Sequence, residues 1–468
     1  MNKKLISLAV AAAVAAPAAA MAEATLYGTL GASLDYESVT NAITPVYQGD
    51  WVFSPGTLVI GEDANGDPVY NTEPTAQFGI RLDENGNAIE FVPGQDFDGW
   101  GFSQEGSALR GAGPSNRVGV KGSEDLGNGL KAIYQVELGV NFGAVDDNIE
   151  SGRNGGVSIR NSFVGLAGSF GTFLMGRHDT PYKISTGKLD LFSDTMADYN
   201  GTVGFEDLRL DNSVLYISPS FSGLSFAGGI SAPGGATAFG AQNVNSDQIS
   251  SVYSLALIFN NGPFYASAAY ESMNNELFNS TDTSNLGEAG CIDPVTSAEL
   301  GTCNYVGDDY NKYRFGLGLL DWNGFTLTAI YEDQDNNPDG QRRTGVTFID
   351  SDGFIVPGSV QNGVDKQQLW QVQAGYAFGN NMFKAMYGAV DRGDQQFAQA
   401  TRDTISINNL RRDLSGDKST WAVGFDHNFS KRTKAYILYT AVDDDADDAP
   451  LTSDASWDGF SIGMKHKF

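Results

Sequence analysis

Four arginines stand in or beside segments whose other members alternate between apolar and polar residues or glycine. Arg117, for example, is in phase with Lys121 and out of phase with Val118 and Val120. Such alternation predicts a β-strand with one apolar and one polar face. If the apolar face contacts lipid, an arginine on that face would cost about 2–4 kcal/mol at the membrane midplane, so the arginines should face a barrel interior. The four are Arg117, Arg160, Arg177 and Arg209.

The segment 184–208, between two predicted strands, is rich in carboxylates. It carries Asp190, Asp194, Asp198, Glu206 and Asp207. If this segment folds inward, its acids would face the arginines across a pore and set up a transverse electric field. The alternative is that all these charges belong to an ordinary polar wall and a solvated loop. Composition does not decide between the two.

A catalytic constellation is missing from the sequence. The three histidines are His178, His427 and His466, and the last two are in the outward-facing phase of their predicted strands. We find no Gly-x-Ser-x-Gly, no His-Glu-x-x-His and no phosphate loop. A serine or aspartate acting with His178 is the remaining enzymatic possibility. We therefore expect a protein that is not an enzyme and that needs no cofactor.

The amino terminus predicts export. Lys3 and Lys4 precede an apolar run to Ala19 and a small-x-small motif ending at Ala22, which predicts a signal peptide over 1–22 and a mature chain from Glu23. After Glu23 there is no apolar run of about 18 residues, the length that a membrane-spanning helix needs. The chain has 57 acidic and 29 basic residues, a formal net charge of −28. That balance argues against nucleic acid as a partner.

The remainder of the chain predicts one all-β domain over 23–468, a transmembrane antiparallel barrel of sixteen strands. Seven connections are tight turns with glycine, asparagine or serine, and eight are long, which is typical of short periplasmic turns and long extracellular loops. The final strand ends on Phe468, which should lie in an interfacial aromatic girdle. The predicted strands are 24–37, 115–123, 130–142, 157–168, 172–183, 209–221, 224–233, 249–260, 263–274, 309–321, 325–335, 366–379, 382–393, 419–429, 433–442 and 457–468.

Two of the long connections have features of their own. The first, 38–114, contains two similar units, 58–70 and 78–90, and each predicts a hairpin. Asp63, Asn65 and Asp67 have the oxygen spacing of a calcium loop, but Pro74 stands where a bidentate glutamate would be needed, so a hairpin without metal is favoured. In the fifth long connection, Cys291 and Cys303 predict a disulfide, as expected for an exported chain.

The chain resembles the general diffusion porins of Gram-negative outer membranes, a family of trimeric sixteen-stranded barrels. The residues that carry the resemblance are Leu26-Tyr27-Gly28, the segment 117–122, the segment 163–166, Gly176-Arg177, Asp211-Asn212-Ser213 and Phe468. The resemblance implies that 184–208 folds into the barrel as a constriction loop facing the four arginines. It also implies that the barrel-insertion machinery reads Phe468 as an assembly signal. Two departures are Thr29, where some relatives have lysine, and the absence of a Pro-Glu-Phe-Gly-Gly motif.

The expected function is passive diffusion of small hydrophilic solutes and ions through a homotrimer embedded in outer-membrane lipid and lipopolysaccharide. The alternatives are a substrate-selective channel, an outer-membrane enzyme and a surface adhesin, the last because of the long first loop. The excess of acidic residues leads us to expect a weak preference for cations at low salt. This preference should fade at 1 M salt, because salt screens remote charges.

Overall fold

The computed structural model describes residues 24–43, 46–47, 49–54, 59–62, 68–70, 75–81, 84, 90–92, 95–103, 116–140, 157–231, 250–274, 291–292, 299–300, 308–337, 343–349, 355–361, 364–392, 398–400, 416–444 and 456–468. The predicted signal peptide and Cys303 lie outside these ranges, so the signal peptide and the disulfide stay predictions.

A closed antiparallel barrel makes up most of the described chain. Its segments are β1 (Thr25–Ile43), β2 (Gln95–Ser103), β3 (Arg117–Gly127), β4 (Leu130–Val140), β5 (Val157–Ile159), β6 (Ser162–Gly168), β7 (Gly171–Asp179), β8 (Arg209–Ile217), β9 (Leu224–Ser231), β10 (Val252–Asn261), β11 (Phe264–Met273), β12 (Tyr310–Trp322), β13 (Phe325–Asp335), β14 (Gln367–Phe378), β15 (Asn381–Arg392), β16 (Gly416–Asn428), β17 (Thr433–Asp444) and β18 (Trp457–Lys467).

These segments form sixteen strands around the barrel. β2 and β3 lie end to end along β1, and β5 and β6 lie end to end along β4. The sixteen-stranded antiparallel prediction is therefore confirmed.

In the part of the chain that the structure describes, no helix is both long and apolar enough to cross a membrane.

The side chains follow the alternation seen in the sequence. On β14, Trp370, Val372 and Tyr376 are exposed, whereas the intervening Gln371 and Gln373 are buried. Aromatic side chains on neighbouring strands contact one another on the outside, as in the pair Phe325–Tyr376, whose ring centroids are 4.5 Å apart. An apolar exterior and a polar interior match a barrel surrounded by lipid.

The second strand differs from its prediction. It was expected at 115–123, after a long loop, but β2 already pairs with β1 from Ile43 to Ser33. The gap between Ser103 and Arg117 is bridged by a side chain, because Asn116 accepts from the Gly31 amide and donates to the Gly31 carbonyl. The insertion at 104–115 hid the continuity of this strand in the sequence.

The first long connection is only partly as predicted. Val59–Glu62 and Pro68–Tyr70 do form a hairpin, whose turn residues Asp63, Asn65 and Asp67 lie outside the described residues. The second hairpin prediction is wrong. Thr75–Arg81 pairs with Gly49–Ser54 and with Arg343–Ile349, and Glu90–Val92 pairs with Val46–Tyr47. Pairing between distant loop segments replaced the local turn.

The loop strands build small sheets outside the barrel. The five-stranded one has the order Ala398–Ala400, Ile355–Gln361, Arg343–Ile349, Thr75–Arg81 and Gly49–Ser54, and a further pair joins Cys291–Ile292 to Glu299–Leu300. Two one-turn helices, α1 (Pro181–Ile184) and α2 (Tyr199–Thr202), lie in the connection between β7 and β8. The predicted strand 172–183 ends early, at Asp179, because Thr180 caps α1 and Pro181 begins it.

The barrel closes where its two ends meet. β1 pairs with β18 from Thr29–Lys467 to Val39–Trp457. The last residue continues the ladder, because Gly28 and Phe468 exchange two backbone hydrogen bonds of 3.1 Å. A Cβ atom at Gly28 would lie 2.4 Å from the ring of Phe468 and 2.6 Å from the carbonyl oxygen of Arg117. Glycine at position 28 thus makes room for the terminal aromatic ring.

We predict that Gly28→Leu impairs closure of the barrel. The added side chain must displace either the Phe468 ring or backbone, and overpacking of this kind costs about 1–3 kcal/mol. The measurement is the fraction of compact, heat-modifiable protein on unheated gels, which should fall several-fold. Ala32→Leu, in the same outward phase of β1, is the matched control and should fold normally. A normal folded fraction for Gly28→Leu would contradict the role given to this contact.

Candidate functional site

The connection between β7 and β8 runs inside the barrel. It begins at Thr180, whose hydroxyl caps α1 by accepting from the Lys183 amide. Its large side chains are buried although it belongs to neither strand, with Tyr182, Leu189 and Phe192 at 0% exposure. They pack on inward-facing wall residues, such as Ile330 and Leu369 in one cluster and Met386 and Leu438 in another. We call residues 180–208 the inner loop.

Glycines in the wall make space for the inner loop. A Cβ atom at Gly316 would lie 2.6 Å from Leu189, and one at Gly459 would lie 2.6 Å from Met196. The inner loop therefore presses directly against the backbone of the wall. This explains why glycine occupies inward-facing strand positions, where a larger side chain would push the loop into the open passage.

Arg314 on β12 holds both ends of the inner loop. Its Nη1 donates to the Thr186 hydroxyl at 3.0 Å and to Asp207 Oδ1 at 2.6 Å, and its Nη2 donates to the Glu206 carbonyl at 3.1 Å. Its Nε donates to Glu332 on the neighbouring strand. The guanidinium also lies 4.3 Å from the ring centroid of Tyr182. One fully buried cation thus joins the start of the loop, its end and the wall.

Lys312 extends this network. Its ammonium group lies 2.9 Å from Glu271 Oε1 and 3.7 Å from Glu206 Oε2, and its side chain is fully buried. Tyr310 donates a hydrogen bond to Glu206 at 2.9 Å. Buried charges of this kind are tolerated only when they are paired and hydrogen-bonded. The end of the inner loop supplies two of the acids that this part of the wall needs.

A cavity of about 710 Å³ separates the inner loop from the opposite wall. All four predicted arginines border it, on the side formed by β3 to β8. Each has an acid on its own wall: Arg160 lies 2.8 Å and Arg117 3.9 Å from Glu137. The other two pairs are Arg177–Asp211 at 2.6 Å and Arg209–Asp179 at 2.9 Å.

The five predicted acids of the inner loop do not act as one group. Asp194 binds Lys465 at 2.7 Å, and Asp190 accepts from the Gln373 amide and the Phe192 backbone. Asp198 caps α2, accepting from the backbone amides of Asn200 and Asp194.

The remaining two acids require a correction. Glu206 and Asp207 were expected to face the arginines, and Asp207 does border the cavity. However, the carboxylates are held by Lys312 and Arg314 on the other wall. Their position follows from the buried cations of β12, which the loop sequence by itself does not reveal.

Sequence reasoning missed the acids that pair with the arginines. Glu137, Asp179 and Asp211 all lie on barrel strands, and Asn161 accepts from Arg209 Nε at 2.6 Å. Glu137 could have been found, because it shares a register position with Gly119, in the inward phase set by Arg117.

The inner-loop carboxyls differ in their affinity for protons. Burial raises the pKa of Asp190 to about 6. Burial, together with the nearby charge of Asp190, raises the pKa of Asp198 to about 8. Burial also disfavours ionisation of Asp194, but the ion pair with Lys465 outweighs it and holds its pKa below the ordinary value. At neutral pH, Asp198 therefore contributes little negative charge to the cavity.

A second cavity, of about 350 Å³, lies toward the short turns and shares Arg117, Asp190 and Asp194 with the first. Its other charged residues all come from β17, β18 and the turn between β16 and β17. They are Lys431, Arg432, Lys434, Lys465 and Lys467. The two cavities are thus adjacent, and the second extends the charged and polar lining to the short-turn end of the barrel.

A closed barrel with an apolar exterior, a polar interior and a loop that narrows the lumen defines a membrane channel. The sequence profile of the Gram-negative porins matches residues 7–447, and the chain belongs to this family. It is a protein of the Gram-negative outer membrane.

Among curated relatives, the chain is similar to the major outer membrane protein P.IB of Neisseria gonorrhoeae, with 25% identity over 358 residues, or 75% of this chain and 84% of the relative. It is 29% identical over 206 residues to an outer membrane porin protein of Bordetella pertussis, covering 40% of this chain and about half, 51%, of the relative. Among solved structures, it is similar in fold to the anion-selective porin of Comamonas acidovorans. That match has a TM-score of 0.52 and 19% identity, and covers 96% of this chain and 100% of the other.

We predict that Arg314→Met loosens the inner loop. The change leaves Glu332 and Asp207 buried without their cation, a loss that typically costs about 3–5 kcal/mol. Single-channel conductance should rise and become noisier, while the barrel still folds. Arg314→Lys keeps the positive charge but replaces the three donor nitrogens of the guanidinium by one. Its conductance should therefore lie between that of the unaltered protein and that of Arg314→Met. Arg392→Met, which breaks the buried Arg392–Asp444 pair elsewhere on the wall, is the control. If folded Arg314→Met has the same conductance and the same low current noise as the unaltered protein, Arg314 does not hold the inner loop in place.

We also predict that the inner loop is held less firmly at pH 8 than at pH 5. The pKa of Asp198 is about 8 in the folded loop, against about 4 in an unfolded chain. The folded loop therefore favours the protonated acid, and its stability falls as pH rises from about 4 through about 8. Current fluctuations in single channels should become more frequent over this range. Asp198→Asn, which stays neutral and can still cap α2, should remove the part of the dependence above about pH 6 and leave the part due to Asp190, whose pKa is about 6. An equal pH dependence in the variant would rule out Asp198 as its source.

Proposed function

We propose that the protein is a water-filled channel through which small hydrophilic solutes and ions diffuse passively across the outer membrane. The observation that carries this proposal is the charged cavity between the inner loop and the arginine-bearing wall. Polar groups there replace part of the hydration of a solute, whereas an apolar molecule finds no favourable surface. In this proposal Arg117, Arg160, Arg177 and Arg209 form the basic side of the constriction, and Asp190, Asp194 and Asp198 lie on its loop side.

We further propose that the channel prefers anions. Ten basic residues line the two cavities, five in the first and six in the second with Arg117 in both, against six acids. Of these acids Asp198 is largely protonated at neutral pH, and Asp207 is ion-paired with Arg314 on the other wall. This reverses the weak cation preference expected from composition. Apart from these six, the described acids do not line the two cavities, whereas an ion in the constriction is within a Debye length, about 8 Å, of the lining cations.

We also propose that the channel has no enzymatic activity. His178 is the only histidine that the sequence left as a catalytic candidate. Its Nδ1 lies 2.8 Å from the Asp179 carbonyl oxygen and its ring packs on Phe163. These contacts do not set the imidazole against a serine nucleophile, which supports a channel over a hydrolase.

Assembly as a homotrimer, contacts with lipopolysaccharide and recognition of Phe468 by the insertion machinery are part of the same proposal. They are supported by membership of the porin family. The backbone pairing of Phe468 with Gly28 gives a physical reason for a terminal signal, because the residue that would be read is also the one that completes the barrel.

The test is the reversal potential of planar bilayers containing the purified protein under a gradient of potassium chloride. We expect the sign of the reversal potential to show that the channel is more permeable to chloride than to potassium. Arg160→Gln combined with Arg209→Gln should move it toward zero, because two cations are removed from the passage while the acids Glu137 and Asp179 remain. Lys366→Gln, which removes an exposed cation paired with Asp335, is the control and should have little effect. Potassium preference in the unaltered protein, or an unchanged double variant, would contradict the proposal.

A further inference from the structure

The cavity near the short turns has an unusual concentration of positive charge. Its lining includes six cations and only two acids. Lys434 on β17 lies directly opposite Lys465 on β18 in the antiparallel register. Like charges at directly opposed positions destabilise a sheet. This arrangement therefore carries an energetic cost that β-barrel folding does not require.

The available acids compensate this charge only in part. Asp194 binds Lys465, at 2.7 Å. Asp426 is shared, since Lys434 and Lys384 both lie 3.0 Å from its carboxylate oxygens. Within the described chain, Lys431, Arg432 and Lys467 have no carboxylate within 4.0 Å. Two of these three are in the turn between β16 and β17, and the third is next to the terminal residue.

We propose that this cavity is a binding site for a small multivalent anion, one that carries phosphate groups or two or more carboxylates. The proposal rests on the proposed channel function and assigns a ligand class to its periplasmic end. An anion bound here would reduce the repulsion between Lys434 and Lys465. It would also give Lys431, Arg432 and Lys467 an ion-pair partner. A volume of about 350 Å³ is within the range of small-molecule pockets, roughly 300–1,000 Å³.

Polar groups that are not charged would orient the anion. Ser430 and Thr433 from the turn and Ser193 from the inner loop also line the cavity. Their hydroxyls can donate to phosphate or carboxylate oxygens. A chloride ion carries one charge on one small atom, whereas a multivalent anion has several charged oxygens that can pair with separate cations and accept from separate hydroxyls. The site should therefore favour multivalent over monovalent anions. The inner loop lies between this cavity and the extracellular side, so an anion arriving from the periplasm reaches it without crossing the constriction.

The experiment measures block of chloride current by inorganic pyrophosphate in single channels of known orientation. Micromolar to millimolar pyrophosphate should reduce the current when it is added on the short-turn side, and should do so much less from the other side. The triple variant Lys431→Gln, Arg432→Gln, Lys467→Gln should need at least ten times more pyrophosphate for half block. All three side chains are exposed, so folding should be preserved. Lys366→Gln is the matched control for the loss of an exposed lysine and should behave as the unaltered protein.

Titration calorimetry of the detergent-solubilised protein with pyrophosphate gives an independent readout that does not depend on conduction. Heat that saturates in the unaltered protein and is lost in the triple variant supports the site. Equal block from both sides, or equal block and heat in the triple variant, would overturn it. A channel that conducts with chloride preference but binds no pyrophosphate would refute this inference and leave the proposed function intact. A protein that does not conduct would refute the proposed function instead.

Discussion

The shape of the lumen depends on one buried interaction, the contact of the Arg314 guanidinium with both ends of the inner loop and with Glu332. A fully buried cation is costly unless its donors are satisfied, and the donors of Arg314 are satisfied only when Thr186, Glu206 and Asp207 are all in place. The loop must therefore lie against β12. This constraint decides which half of the wall is covered and which half is left open to solutes.

The covered and the open half of the wall have different chemistry for that reason. Under the inner loop, apolar side chains such as Phe192, Phe205 and Leu369 are buried as in a soluble protein core. On the opposite wall, the arginines border the cavity and are paired with Glu137, Asp179 and Asp211. A single barrel thus combines a small hydrophobic core with a hydrated passage. These arginines and their acid partners lie on or next to barrel strands, which favours a fixed electrostatic field.

Much of this architecture is predictable from the sequence because it follows from local rules. Alternation of apolar and polar residues defines the strands, and tight turns containing glycine or asparagine define their order. The inward direction of the arginines follows from the cost of a cation in lipid. What could not be predicted depends on contacts between distant segments. The pairing of Glu206 and Asp207 with β12, the bridging of an interrupted strand by Asn116, and the sheet that combines strands of several loops leave no periodic signal.

The proposed preference for anions illustrates the same limit. Overall composition is acidic, but selectivity depends on the few charges that an ion passes closely, and on which acids are protonated or already paired. Asp198 counts as negative in the sequence, but burial raises its pKa to about 8 in the folded loop. The total charge therefore does not define the local field.

The central claim is that a loop clamped inside the barrel leaves a passage lined by cations. Anomalous diffraction from crystals of the protein soaked in bromide, with a parallel soak in rubidium, tests it most directly. The account predicts electron density for residues 180–208 inside the barrel and bromide peaks beside the arginines and in the cavity at the short turns. Density for the loop outside the lumen, or rubidium in place of bromide along that wall, would contradict it.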